Sequence, residues 1–409
     1  MNDKSNKVLY SECMKEYKIN QIEKKRILGR NVYKNNDESL TLFWGGAALE
    51  VNIKAREIWA CISTTYVNLE QWLAVEVNGA QISRFMLNKD KTWYCLARNM
   101  NPEKENLITI IKDTQPLNED PTHSLVIHAI GLDEAGEFVP VAPRSCKIEF
   151  IGDSITAGEG TVGAPDEMDW ISQWMSASKT YAMQTAKMIN ADWNTMGKSG
   201  WGICWAWDGN RDCKIPPHYE QVCSVLKDDN SVTLGSLEKW DFNSGHGSDY
   251  VVINLGTNDE SGMKVIESKE ALREPQGPQE AQGLQDGTVV PEALEGLQDG
   301  TVVPEALEGL QEEIVSSVKN FLTVIRSHNP SAKILWCWGL LKLHVVPGLI
   351  QKGVEEYKAE SGDQNVFTLE LESLDELEKT PEEKGSRGHP GYKTHHAAAL
   401  KIVEFLTTL

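Results

Sequence analysis

The chain has 409 residues, enough for two domains or for one large domain carrying an insertion. Its formal net charge of −20 argues against nucleic acid and anionic membrane surfaces as partners and suits a neutral substrate better than an acidic polymer. The 40% hydrophobic content is that of a soluble globular protein, no apolar run approaches the roughly 18 residues of a membrane span, and the opening MNDKSNKVLY lacks the apolar core of a signal peptide. Eight scattered cysteines, without CxxC pairs or His–Cys clusters, predict neither a metal site nor a disulfide framework; reduced, cytoplasmic thiols are the plain reading.

Residues 30–140 read as β. Ala48–Ile53 and Trp72–Val77 alternate apolar and polar residues, and turn signals at Asn78-Gly79 and Asn101-Pro102 separate them from Leu107–Ile111 and Ser124–Ile127. Short strands at this spacing predict a sandwich or jelly roll over residues 1–140, with Pro140 to Pro143 as the linker.

From residue 147 the rhythm becomes strand, loop, helix. Strands are expected at 147–151, 193–196, 249–255, 333–338 and 365–371. The clearest helix carries Ile314, Val315, Val318, Phe321, Leu322 and Ile325 on one face and stops at Asn329-Pro330. Five strands alternating with helices imply a parallel, doubly wound α/β sheet in residues 141–409. Residues 265–313 interrupt it: GLQDGTVVPEALE at 283–295 returns unchanged at 296–308. A thirteen-residue period matches no common solenoid unit, and Gly, Pro, Gln and Glu dominate, so a flexible surface insertion is expected.

Chemistry-bearing residues fall at successive strand ends. Gly152-Asp153-Ser154 follows the first strand and sets Ser154 at the carboxyl edge of the sheet, where open α/β sheets bind ligands. Thr156 rules out a G-x-S-x-G elbow. Ser199-Gly200-Trp201-Gly202 follows the second strand, where the Gly200 N–H can serve as an oxyanion donor. Gly256-Thr257-Asn258-Asp259 follows the third, with the Asn258 amide as another donor. Gly388-His389-Pro390 follows the fifth and puts His389 on the same edge. Each signal alone also reads as a cap, a turn or a structural histidine. Their order at four strand ends is what points to catalysis.

Of 13 tryptophans, five (Trp170, Trp174, Trp201, Trp205, Trp207) follow the Ser154 block. Core packing and a stacking surface for a ring-shaped substrate explain them equally well.

In order, GDSI, SGWG, GTND and GHP resemble the four blocks of the SGNH (GDSL-type) hydrolases. A β-rich first part joined to KIEFIGDSIT, the ILWCWGLL strand and the HP-x₄-H ending resemble carbohydrate esterase family 2 in particular. The resemblance implies a flavodoxin-like three-layer catalytic domain and deacetylation of plant oligosaccharides of xylan or mannan type, with no cofactor. Carried over by residue, it makes Ser154 the nucleophile, His389 the base, and the Ser154 N–H, Gly200 N–H and Asn258 side chain the oxyanion hole. Asp153, Trp201, Trp205 and Trp338 stand as substrate-binding candidates. Most SGNH enzymes carry Asp three residues before the histidine, where this chain has Ser386. A backbone carbonyl, Glu382 or Glu383 remain open as what orients His389. An acyl-chain lipase or thioesterase, and a sugar-binding protein without catalysis, are the competing readings. The oligomeric state is not legible.

Overall fold

The structure, a computed structural model, describes residues 14–117, 119–120, 122–243, 247–271, 304–374 and 382–409. Its first part contains β1 (Met14–Lys18), β2 (Lys25–Leu28), β3 (Leu40–Leu42), β4 (Ala48–Lys54), β5 (Glu57–Thr64) and β6 (Trp72–Val77). These are followed by β7 (Ala80–Met86), β8 (Thr92–Arg98), β9 (Asn106–Lys112), β10 (Leu125–Asp133) and β11 (Glu137–Val139). One antiparallel sheet runs β1-β10-β5-β8 with β3 also on β10; the other runs β11-β4-β9-β6-β7 with β2 on β4. The β6–β7 hairpin closes at Asn78-Gly79, as the turn signal predicts. Among the described residues, regular structure begins at Met14, well before residue 30: β1 and β2 are short and partly exposed, so they carry little apolar signal.

Both sheets supply one core. Ile58, Ile62, Ile127 and Leu132 from the first meet Leu49, Val51, Leu73 and Ile110 from the second. The outer face of the second sheet is apolar too. Ala48, Ala74 and Ile111 pack with Tyr181, Met183 and Trp193 of the following α/β part.

That part holds β12 (Cys146–Gly152), α1 (Ser154–Ala157), α2 (Tyr181–Met188), β13 (Ala191–Gly197), α3 (Asp229–Thr233), β14 (Tyr250–Asn254) and α4 (Thr257–Ala271). It continues with α5 (Pro304–His328), β15 (Lys333–Leu340), α6 (Val346–Ser361), β16 (Val366–Ser373) and α7 (Tyr392–Thr407). The five strands are parallel in the order β13-β12-β14-β15-β16. The chain leaves β12 for one neighbour and returns to the other, so a crevice opens at the carboxyl ends of β12 and β14. On one face α5 and α6 bury Ile314, Phe321, Leu322, Ile350 and Val354; on the other, α2 and α7 bury Ala182, Ala186, Ala399 and Ile402.

The expected insertion at 265–313 is too wide. Helix α4 runs on to Ala271 and α5 starts at Pro304, inside the second copy of the repeat. Proline tolerates a helix's first position, Glu-Ala-Leu-Glu are strong helix formers, and Leu307 and Leu310 pack on the core. Residues 272–303, on which the flexible reading mainly falls, lie outside the described residues.

Buried polar contacts join the two parts. Arg30, fully buried, pairs with Glu149 of β12 at 2.9 Å while Tyr219 donates to the same carboxylate at 2.8 Å. Trp44 donates to the Val222 carbonyl at 2.7 Å, and Trp193 to that of Gly46 at 2.9 Å. Removing one member of a buried ion pair leaves an uncompensated charge costing about 3–5 kcal/mol, so Arg30 holds the two parts in one register.

Candidate active site

Ser154 opens α1 directly after β12, and Asp153 caps that helix by accepting the Ile155 N–H at 3.0 Å. The side chain of Ser154 donates to His389 Nε2 across 2.9 Å. The other ring nitrogen, Nδ1, lies 3.1 Å from the Arg387 carbonyl. A carbonyl can only accept, so Nδ1 carries the hydrogen and Nε2 is left with a lone pair facing the serine. This is the tautomer a general base needs.

The base loop is held in place by the segment after the nucleophile. Arg387 sits at φ 57°, ψ 30°, a left-handed conformation uncommon for a residue with a side chain. Three contacts fix it there: its N–H donates to the Glu167 carbonyl at 2.9 Å, and its guanidinium to Met168 O at 2.6 Å and Glu159 Oε1 at 3.0 Å. Next to it the Ser386 N–H donates to Gly160 O at 3.0 Å. A Cβ at Gly160 would lie 2.4 Å from the Ser386 carbonyl oxygen, so glycine is required for the two loops to meet.

The carbonyl answers what orients His389. Glu382 turns outward and pairs with Lys393 at 2.6 Å, and the Glu383 carbonyl receives the Gly391 N–H. The Ser386 hydroxyl packs on Gly163, where a Cβ would be 2.3 Å away, and has no hydrogen-bond partner among the described residues.

Gly200 follows β13 at φ 78°, and its carbonyl receives the Trp207 N–H at 3.0 Å. Neither the Ser154 nor the Gly200 N–H has a hydrogen-bond acceptor among the described residues. The strap holding Gly200 comes from the antiparallel part: Gln115 accepts the Ser199 N–H at 2.7 Å and donates to its hydroxyl at 2.5 Å. Asn258 donates its amide to Trp201 O at 3.0 Å and reaches 3.4 Å from Asp153 Oδ2. Asp259 ties the loop beyond by accepting the N–H groups of Ile203 and Cys204 at 2.9 and 2.8 Å. Burial raises the Asp153 carboxyl to about 7 and that of Asp259 to about 6. Among the described residues no group of three His, Cys, Asp or Glu could hold a metal ion.

The tryptophan candidates need correction. Trp205 is fully buried and donates to Asp259 O at 2.9 Å. Trp201 and Trp338 are also core residues, and Asp153 is buried as a helix cap, so none of the four presents a face to a sugar. The exposed ring is Trp207, 52% accessible, whose Cδ1 lies 3.0 Å from where a Gly200 Cβ would be. His395, the last residue of HP-x₄-H, is structural: it accepts the Tyr181 N–H at 3.2 Å and bonds Thr161 at 3.1 Å.

No family model matches the chain. Cellulase/esterase CelE of Acetivibrio thermocellus is 24% identical over 88% of the chain, and an acetylxylan esterase / glucomannan deacetylase of Cellvibrio japonicus is 25% identical over 57%. The chain spans 36% and 61% of the lengths of those two curated relatives. Among solved structures, a family two carbohydrate esterase from Clostridium thermocellum in complex with cellohexaose shares the fold (TM-score 0.70, 21% identity, 94% of this chain and 98% of that one). An acetyl xylan esterase from the rumen bacterium Butyrivibrio proteoclasticus is 34% identical, with 97% of this chain and 98% of that one covered and a TM-score of 0.82. The chain belongs to carbohydrate esterase family 2. Membership accounts for the SGNH-type order of the site residues along a five-stranded parallel sheet.

Four residues around this family 2 site escape sequence reasoning: Glu159, Arg387, Gln115 and Trp207. Glu159 and Arg387 are brought together by the fold, and Gln115 lies in the other part of the chain. Only Trp207 left a trace, as one of five clustered tryptophans.

Proposed function

We propose that the chain is a serine esterase removing O-acetyl groups from acetylated xylan- or mannan-type oligosaccharides through an acetyl-enzyme. The observation that carries this is the 2.9 Å Ser154–His389 contact with Nδ1 engaged by a carbonyl, which leaves the base in its working tautomer. Ser154 Oγ attacks the acetyl carbonyl as its proton passes to Nε2. The N–H groups of Ser154 and Gly200 receive the oxyanion, and Asn258 joins as third donor by turning an amide hydrogen away from its long 3.4 Å bond to Asp153 Oδ2. Collapse expels the sugar alkoxide, which takes the proton from His389, and water repeats the sequence to release acetate and free serine. Trp207, exposed over Gly200, is the platform for the pyranose ring; the names of the relatives, with their xylan and glucomannan substrates, support the sugar class.

The two antiparallel sheets over one core support a jelly-roll-like accessory domain ending near residue 140, with the catalytic domain from 141. Seven described thiols without a disulfide support a reducing, cytoplasmic setting. An intact nucleophile–base pair favours catalysis over sugar binding alone. The test is acetate release from a panel of acetylated glycans beside p-nitrophenyl esters of rising chain length. Acetyl esters should be preferred, with activity falling steeply by butyrate; preference for octanoyl esters would give the lipase-like reading instead.

A further inference from the structure

Glu159 is buried, and its Oε2 lies 3.9 Å from His389 Nε2, on the side of the ring facing Ser154. Its other oxygen, Oε1, holds the Arg387 guanidinium at 3.0 Å, and Ser199 on the oxyanion loop helps hold the carboxyl below its ordinary value. Ser199 is itself gripped by Gln115. The carboxylate is thus fixed between the base loop and the oxyanion loop by groups on both.

Arg387 plays two parts here. Its carbonyl meets Nδ1, and its side chain orients Glu159 towards the Nε2 edge. Two negative poles therefore flank the imidazole, one a dipole and one a charge. Other ionisable groups surround the pair. Asp153 is pushed by burial to about 7; Lys198, its pKa lowered by burial, pairs with Glu119 and is also attracted to Glu159; and His395, driven by burial to about 3, is neutral. Burial alone would raise the Glu159 carboxyl, but His389, Ser199 and Arg387 outweigh it and hold it below the ordinary value.

We infer that Glu159 is the anionic partner of the catalytic imidazole, a positioning residue that favours the imidazolium formed as Ser154 attacks. The inference rests on the assignment of Ser154 and His389 as nucleophile and base. Glu159 does not take the proton, which goes from Ser154 Oγ to Nε2 and on to the leaving sugar; the carboxylate lowers the cost of the charged intermediate. It stands in for the acid missing at Ser386, from the opposite edge of the ring.

The experiment is kcat and KM for p-nitrophenyl acetate across pH 5–9 in the full-length chain for E159Q, E159D and S154A. E159Q should lose on the order of tenfold to a hundredfold in kcat with KM little changed, and its acid limb should move to lower pH. E159D keeps the charge and should retain the position of that limb while losing less. An E159Q variant with kcat within about twofold of wild type and an unmoved limb overturns the inference. A large loss with an unmoved limb also overturns it and makes Glu159 a structural brace. If E159Q does not fold, E159D decides: a loss beyond about a hundredfold at an unmoved limb counts against the inference. Activity surviving in S154A defeats the underlying assignment, which separates the two failures.

Discussion

The Arg387 carbonyl lies 3.1 Å from His389 Nδ1 and occupies the place an aspartate holds in a full triad. A dipole fixes the tautomer as an aspartate does, without bringing a charge into the ring plane. It follows that Ser386 and Glu382, on the Nδ1 side of the ring, should prove dispensable, unlike Glu159 at the opposite edge. Ser386→Ala and Glu382→Gln should each keep kcat/KM within about threefold, since the Ser386 hydroxyl bonds nothing among the described residues and Glu382 pairs with Lys393 outside the site. Ser386→Asp should lower Tm without raising activity, because the position is packed against Gly163. Steady-state kinetics with thermal melts checks all three.

Gln115 makes the antiparallel part a working member of the site. Gln115→Ala frees the Ser199 N–H and hydroxyl, one residue before the Gly200 donor. Two lost hydrogen bonds predict about 1–3 kcal/mol of stability. A loosened oxyanion donor predicts a fall of roughly tenfold in kcat, below the 10²–10³-fold cost of deleting a donor outright. If kcat is unchanged while Tm falls, the strap is purely structural.

How much of this the sequence discloses depends on the range of the interaction. The strand ends carrying Ser154, Gly200, Asn258 and His389 are local patterns, apolar runs closed by Gly-rich turns, and they were readable. So was the helix face from Ile314 to Ile325. Glu159 was not: an acid between two glycines looks like a solvated turn, and its partner Arg387 is brought to it only by the fold. Trp205 and Trp207 stand two residues apart, yet one is fully buried and the other 52% exposed. The loop reverses between them, with Gly200–Trp207 and Asp259 contacts that composition does not encode. Pro304–Glu308 hid its helix inside a duplicated Gly- and Pro-containing segment.

Trp207 should read out in binding rather than in chemistry. Trp207→Ala removes an exposed ring, so fold and kcat on p-nitrophenyl acetate should persist. KM on acetylated oligosaccharides should rise about tenfold, for a stacking contribution of about 1–1.5 kcal/mol. Equal KM changes on both substrates would remove Trp207 from the sugar site.

Asp153 gives the site a pH signature in stability. Its carboxyl is raised by burial to about 7 from an unfolded value near 4, so between these pH values the folded state binds more protons than the unfolded one. Its contribution to stability therefore falls as pH rises from about 4 towards 7. Asp153→Asn keeps a cap acceptor for Ile155 and removes the buried charge. The variant's Tm relative to wild type should improve from pH 5 to pH 8; a difference that stays constant or reverses would mean that Asp153 is not protonated near neutrality in the folded state.

The central claim is that Ser154, activated by His389, removes acetyl groups from sugars. Its most direct measurement is acetate released from acetylated xylan and glucomannan by the wild-type chain, Ser154→Ala, His389→Ala and the double variant, with each variant's fold checked by its melting curve. Wild type should release acetate, each single variant should lose on the order of 10⁴-fold or more, and the double variant should lose no more than either alone, because the two residues act as one unit. Release by Ser154→Ala within about tenfold of wild type, or none by a folded wild-type chain on either glycan, would contradict the account.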